Sequence, residues 1–168
     1  KMKNEALQIA KEADVIICAM GETADMSGEC ASRTNLEMPD VQQELLAELA
    51  KTGKPVVLLN FAGRPTVLSW ENEHIPAIMN VWFGGSEVGD ALCDVIFGDK
   101  VPSGKLTTSM PKTTGQEPLY YNHQNTGRPV PDDNQKFAKF ASNCLDVSNG
   151  PLYPFGYGLS YTTFEYGD

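Results

Sequence analysis

An unbroken apolar run, Pro55-Val56-Val57-Leu58-Leu59-Asn60-Phe61, limits what this chain can become more than any other stretch. A strand with one wet face alternates apolar and polar residues. This run does not, as is usual for parallel strands buried on both faces. Parallel strands must be joined by crossovers, usually helices, and the flanking sequence supplies them. Ala6, Leu7, Ile9, Ala10 and Ala13 mark one face of a first helix, followed by a strand over residues 14–20. Pro39 suits the first turn of a second helix, in which Val41, Leu45, Leu46 and Leu49 recur at helical spacing before a stop at Gly53. After the run at 55–61, Pro65 starts a short helix through Trp70, and Ile75 to Phe83 read as a third strand. Ser86 then fits an N-cap, with Val88, Ala91, Leu92, Val95 and Ile96 following as an apolar helical stripe. Strand and helix in alternation predict an α/β fold, a three-layer α/β/α sandwich with a mostly parallel sheet. Residues 99–151, rich in Pro, Gly, Asn and Asp, predict a long irregular C-terminal excursion. Within the aromatic end at 152–166, the segment Tyr161-Thr162-Thr163-Phe164-Glu165-Tyr166 favours an extended edge strand.

A chain of 168 residues fits a single domain with a sizeable core. Its net charge of -9, with 13 scattered basic residues, argues against a nucleic-acid partner, because phosphate contacts need clustered Lys and Arg. No apolar run approaches the roughly 20 residues needed to span a bilayer, so no membrane partner is expected. Lys1-Met2-Lys3-Asn4-Glu5 leads into an amphipathic segment, not the apolar core of a signal peptide, as if the chain were cut from a longer one. The cysteines Cys18, Cys30, Cys93 and Cys144 are far apart, which removes zinc spacing, and Cys18 and Cys93 read as core residues.

Chemistry is most plausible at Gly21-Glu22-Thr23-Ala24-Asp25-Met26-Ser27-Gly28-Glu29-Cys30-Ala31-Ser32-Arg33, which leaves the first strand carrying two carboxylates, Glu22 and Glu29. Ligands of open α/β sheets gather beyond the carboxyl ends of the strands, where a loop carboxylate can give or take a proton. By position alone a solvated acidic loop is the simpler reading. Other motifs fail. Gly98-Asp99-Lys100-Val101-Pro102-Ser103-Gly104-Lys105-Leu106 resembles a phosphate loop but has five residues between its glycines. It also ends in Leu106 where a magnesium-binding hydroxyl is required, and it follows a helix in place of a strand. Gly84-Gly85-Ser86-Glu87 reads as a tight strand-to-helix turn. His74 and His123 stand far apart in sequence with no G-x-S-x-G serine, so neither a triad nor a metal site is supported. A flavodoxin-like domain binding FMN is weakened by the broken phosphate loop.

The blocks Ser27-Gly28-Glu29-Cys30-Ala31-Ser32-Arg33-Thr34-Asn35-Leu36-Glu37-Met38-Pro39, Gly63-Arg64-Pro65 and Trp82-Phe83-Gly84-Gly85-Ser86-Glu87-Val88-Gly89 resemble family 3 glycoside hydrolases. So do Pro102-Ser103-Gly104-Lys105-Leu106, Asn125-Thr126-Gly127-Arg128-Pro129 and Leu152 through Phe164, in order along nearly the whole chain. Within the family, the bacterial periplasmic β-glucosidases look most similar. The resemblance implies the C-terminal α/β sandwich domain (residues 1–168, a partial domain) of a longer enzyme whose N-terminal barrel carries an Asp nucleophile. It implies a retaining mechanism on terminal β-linked glucosides or oligosaccharides, with Glu29 matching the general acid/base and Glu22 the alternative. It also implies that the chain is inactive alone, needs no cofactor or metal, works against its own barrel, and is periplasmic or secreted. The residues that contact substrate stay unassigned. A non-catalytic carbohydrate-binding or interdomain-packing module is the rival reading.

Overall fold

The computed structural model describes residues 2–133 and 137–167. The chain folds as α1 (Met2–Glu12), β1 (Ile16–Gly21), α2 (Asp40–Ala50), β2 (Val56–Phe61), α3 (Ser69–His74), β3 (Ala77–Asn80) and α4 (Val88–Ile96). The sheet is three-stranded and wholly parallel, in the order β1-β2-β3, with Cys18 opposite Leu58 and Leu58 opposite Ile78. The expected α/β class with a parallel sheet is what the chain adopts.

Alternation within the strands separates two faces. Cys18, Val56 and Leu58 turn toward α1 and α2, where Ala10, Leu46 and Leu49 close a core in which Leu46 and Leu58 are fully buried. Burial pushes the Cys18 thiol above its ordinary pKa. Val57, Ala77 and Met79 turn the other way and line an open cavity of about 880 Å³. Val95 and Ile96 of α4 and the C-terminal segment around Leu106, Tyr153 and Tyr157 form its other walls. The excursion after α4 is irregular, as expected, and is pinned by its own ladder. Leu106 N–H donates to Tyr157 O (2.8 Å) and Met110 N–H to Tyr153 O (2.8 Å).

Several local expectations are corrected. The helix expected from Pro65 starts only at Ser69, because Val67 is drawn into a parallel bridge with Glu37, its N–H bonded to Leu36 O at 2.9 Å. The third strand is shorter than 75–83, since Ile75 caps α3 and Trp82, at φ +57°, turns the chain away after Val81. Glu87, not Ser86, occupies the N-cap of α4, and Pro39 sits at the N-cap of α2 instead of inside its first turn. Cys93 is exposed, while Val95 and Ile96 are the residues that α4 turns to the cavity. Residues 161–166 form no strand: Tyr161 Oη donates to Val95 O (2.9 Å), which holds the tail against α4 and away from a sheet edge.

Candidate functional site

The carboxyl ends of β1, β2 and β3 open onto one rim, and the β1–α2 connection, residues 22–39, is its longest loop. Gly21 starts it at φ +135°, where a Cβ would strike the Phe61 backbone, so the close approach of β1 and β2 requires glycine. Gln42, in the first turn of α2, clasps the same residue. Its Oε1 accepts from Gly21 N–H (2.7 Å) and its Nε2 donates to Gly21 O (2.9 Å).

Glu22 follows at once. Its backbone N–H donates to Phe61 O (2.7 Å), and its side chain is only 1% exposed. Arg33 Nη1 and Arg64 Nε each stand 2.9 Å from Oε1, and Gly63 N–H donates to Oε2 at 3.2 Å. Burial alone would raise the Glu22 pKa. The hydrogen bonds from Arg33, Gly63 and Arg64, with the charge of Arg64, outweigh it and hold the carboxyl below its ordinary value.

The two arginines then reach onward along the loop. Arg64 Nη2 donates to the carbonyls of Met26 (2.5 Å) and Ala31 (2.8 Å), and Arg33 Nη2 to that of Glu37 (3.1 Å). Gly63 has a second role: a Cβ there would collide with the Ser27 hydroxyl and the Phe83 ring. The loop is thus fastened at its start, on both sides of its apex and at its end. Between these fastenings lies the turn Gly28–Ala31, closed by Ala31 N–H to Gly28 O (3.2 Å), with Cys30 at φ +60°. Glu29 occupies that turn and is exposed, and among the described residues its carboxylate has no ion-pair partner.

The two carboxylates read together in the sequence therefore stand in opposite settings on one loop. One is buried and doubly paired with arginine; the other projects into solvent beyond the strand ends. Their arginine partners were missed by sequence reasoning. The available signal was that Arg64 lies just beyond the predicted strand 55–61 and Arg33 on the long loop that leaves the predicted strand 14–20, the loop that carries Glu22.

The remaining candidates do not join this site. His74 ends α3 and stacks on Trp70 (centroids 4.4 Å apart), while His123 faces Asp133 at 3.9 Å in the excursion. Gly85 adopts φ +72° and a Cβ on Gly84 would strike Val88, so this pair shapes the turn into α4. Among the described residues no group of three or more His, Cys, Asp or Glu is placed to hold a metal ion, and no helix is long and apolar enough to cross a membrane.

Comparison with known proteins gives consistent relatives. The family model for the glycosyl hydrolase family 3 C-terminal domain matches residues 1–161. A periplasmic beta-glucosidase of Salmonella typhimurium is 50% identical over 167 residues, which cover 99% of this chain and 22% of that protein. A beta-xylosidase of Formosa agariphila is 41% identical over 164 residues, covering 97% of this chain and 21% of that protein. Among solved structures, the beta-glucosidase from Listeria innocua superposes with a TM-score of 0.91 at 41% identity, covering 97% of this chain and 22% of that one. The chain spans about a fifth of the length of these relatives.

Proposed function

Because the chain belongs to glycosyl hydrolase family 3 through its C-terminal domain, we propose that it is the acid/base-bearing part of a retaining β-glucosidase. The reading is supported above all by the placement of Glu29, an exposed carboxylate at the apex of a loop beyond the carboxyl ends of the strands. A retaining glycosidase needs two carboxyl groups about 5–5.5 Å apart, one attacking the anomeric carbon and one protonating the departing oxygen. The first must be ionised and the second must carry a proton, so the two need different surroundings. Two domains can provide them.

In this reading an aspartate of the parent's barrel attacks the anomeric carbon of a β-glucoside. The glycosidic bond breaks, and Glu29 gives its proton to the leaving oxygen. The Glu29 carboxylate then takes a proton from the water that releases the sugar, which restores both groups. Glu22 cannot fill the role as readily, because a carboxyl held ionised by two arginines has no proton to give. The chain alone holds one member of the pair and is inactive. Its substrates are β-glucosides or oligosaccharides, it works against the parent's own barrel, and it resides in the periplasm or outside the cell.

The test is Glu29→Gln in the full-length parent. Expected is a fall in kcat/KM on phenyl β-glucoside of roughly 10²–10⁴, the usual size of acid/base loss. Unchanged turnover would leave the packing or carbohydrate-binding module as the correct reading. Running phenyl β-xyloside in parallel decides between the sugars named by the two bacterial relatives.

A further inference from the structure

We propose that the buried Glu22, through Arg33 and Arg64, is the positioning device of the active-site loop, fixing where Glu29 stands relative to the bound sugar. The proposal rests on the acid/base reading of Glu29 and deepens it. Its basis is the route of the hydrogen bonds. Arg64 takes its orientation from Glu22, with Nε 2.9 Å from Oε1, and spends Nη2 on the carbonyls of Met26 and Ala31. Those two carbonyls bracket Glu29, three residues before it and two after. Arg33, anchored on the same carboxylate at 2.9 Å, holds the Glu37 carbonyl where the loop turns back toward α2. Gly63, whose amide also binds Glu22, lets Ser27 pack directly on the β2 end. No helix or strand crosses residues 27–35, so nothing in the regular secondary structure fixes the apex. A planar guanidinium with donors in fixed directions can do so where a lone ammonium cannot.

A group that only stabilised the fold would affect all substrates alike. A positioning group for the proton donor affects those whose leaving group needs the proton. The experiment therefore compares kcat/KM on phenyl β-glucoside and on 2,4-dinitrophenyl β-glucoside, whose leaving group departs without protonation, in the full-length parent. Glu29→Gln, Glu22→Gln and Arg64→Lys are measured side by side, with Glu29→Ala and Glu22→Ala added for kcat with and without azide. Expected for Glu22→Gln is a loss on the phenyl substrate about 10–100-fold greater than on the dinitrophenyl one, the scale of a small misplacement of a catalytic group. Arg64→Lys keeps a cation beside Glu22 but loses the paired carbonyl contacts, so the same selectivity is expected from it; it decides the matter if Glu22→Gln does not fold. Azide is expected to raise kcat on the dinitrophenyl substrate in Glu29→Ala, where the lost side chain leaves room for an anion that attacks the glycosyl-enzyme without a base, and not in Glu22→Ala, which keeps Glu29 in place.

Equal losses on both substrates in Glu22→Gln and Arg64→Lys, beside selective loss in Glu29→Gln, overturn the positioning role and leave the acid/base reading standing. Azide rescue of Glu22→Ala overturns it differently, by making Glu22 the acid. Equal losses in Glu29→Gln remove the acid/base reading, and this proposal with it.

Discussion

Three glutamates of this chain show how far burial and partners can separate identical side chains. Glu29 is exposed, Glu22 is buried against two arginines, and Glu71 is buried inside α3 with Gln43 Nε2 3.5 Å from its Oε1. Desolvation dominates at Glu71 and holds its pKa above the ordinary value. The charge of Glu37 adds to this, against weaker opposition from the bond of its own backbone amide, the Gln43 bond and the His74 charge. A raised native pKa means that the folded chain keeps a proton the unfolded chain has lost. The stability this contributes is present below the ordinary glutamate pKa and disappears as the pH rises through the native one. Glu71→Gln is therefore expected to raise the thermal midpoint at neutral pH by a few degrees and to change little in strong acid; thermal unfolding at both pH values checks it. Glu22 has the opposite sign. Its depressed pKa stabilises the fold above the ordinary value, and that contribution is lost as the pH falls through the native one, so Glu22→Gln destabilises at neutral pH and much less in acid. At this scale the sequence was silent: Glu22, Glu29 and Glu71 are one letter, and their partners come from other loops.

Elements were more legible, because each is written in a local pattern. The helices α1, α2 and α4 and the strands β1 and β2 fall where periodicity and apolar runs place them, to within a residue or two. Errors cluster where a tertiary contact overrode the local preference. Val67 was captured by the bridge to Glu37, and the aromatic tail was captured by α4. Core energetics belong to this scale as well. Leu46 is fully buried between α2 and the strands, in contact with the cluster that holds Leu58 and Val56. Leu46→Ala is expected to lower unfolding stability by about 2–5 kcal/mol, the range for a leucine deleted from a packed core, as read by urea denaturation. A cost below about 1 kcal/mol would mean that α2 is only loosely seated on the sheet.

At the scale of the whole molecule, the sheet is solidly covered on the α1–α2 side and loosely on the other, where Ile17 remains 46% exposed and the cavity opens. The outer edges of β1 and β3 pair with no further strand among the described residues. A surface of this kind suits a domain that sits beside others, in keeping with a chain that is about a fifth of its relatives' length. The purified 168-residue chain is expected to release no detectable phenol from phenyl β-glucoside, while the full-length parent does. Turnover by the chain alone, abolished by Glu29→Gln, would place both carboxyl groups inside it.

Order of elements, fold class and the rim onto which Glu22 and Glu29 emerge were all contained in the linear pattern, because hydrophobic periodicity is local and a parallel sheet leaves few ways to connect its strands. The contrast between Glu22 and Glu29 was not. It arises when the β2 end brings Gly63 and Arg64 against the start of a loop roughly forty positions earlier, and when Arg33 folds back beside them. Only the packed chain brings those charges within a few ångströms of one another, and at that distance their attraction and the loss of water decide which carboxylate is locked and which is left exposed.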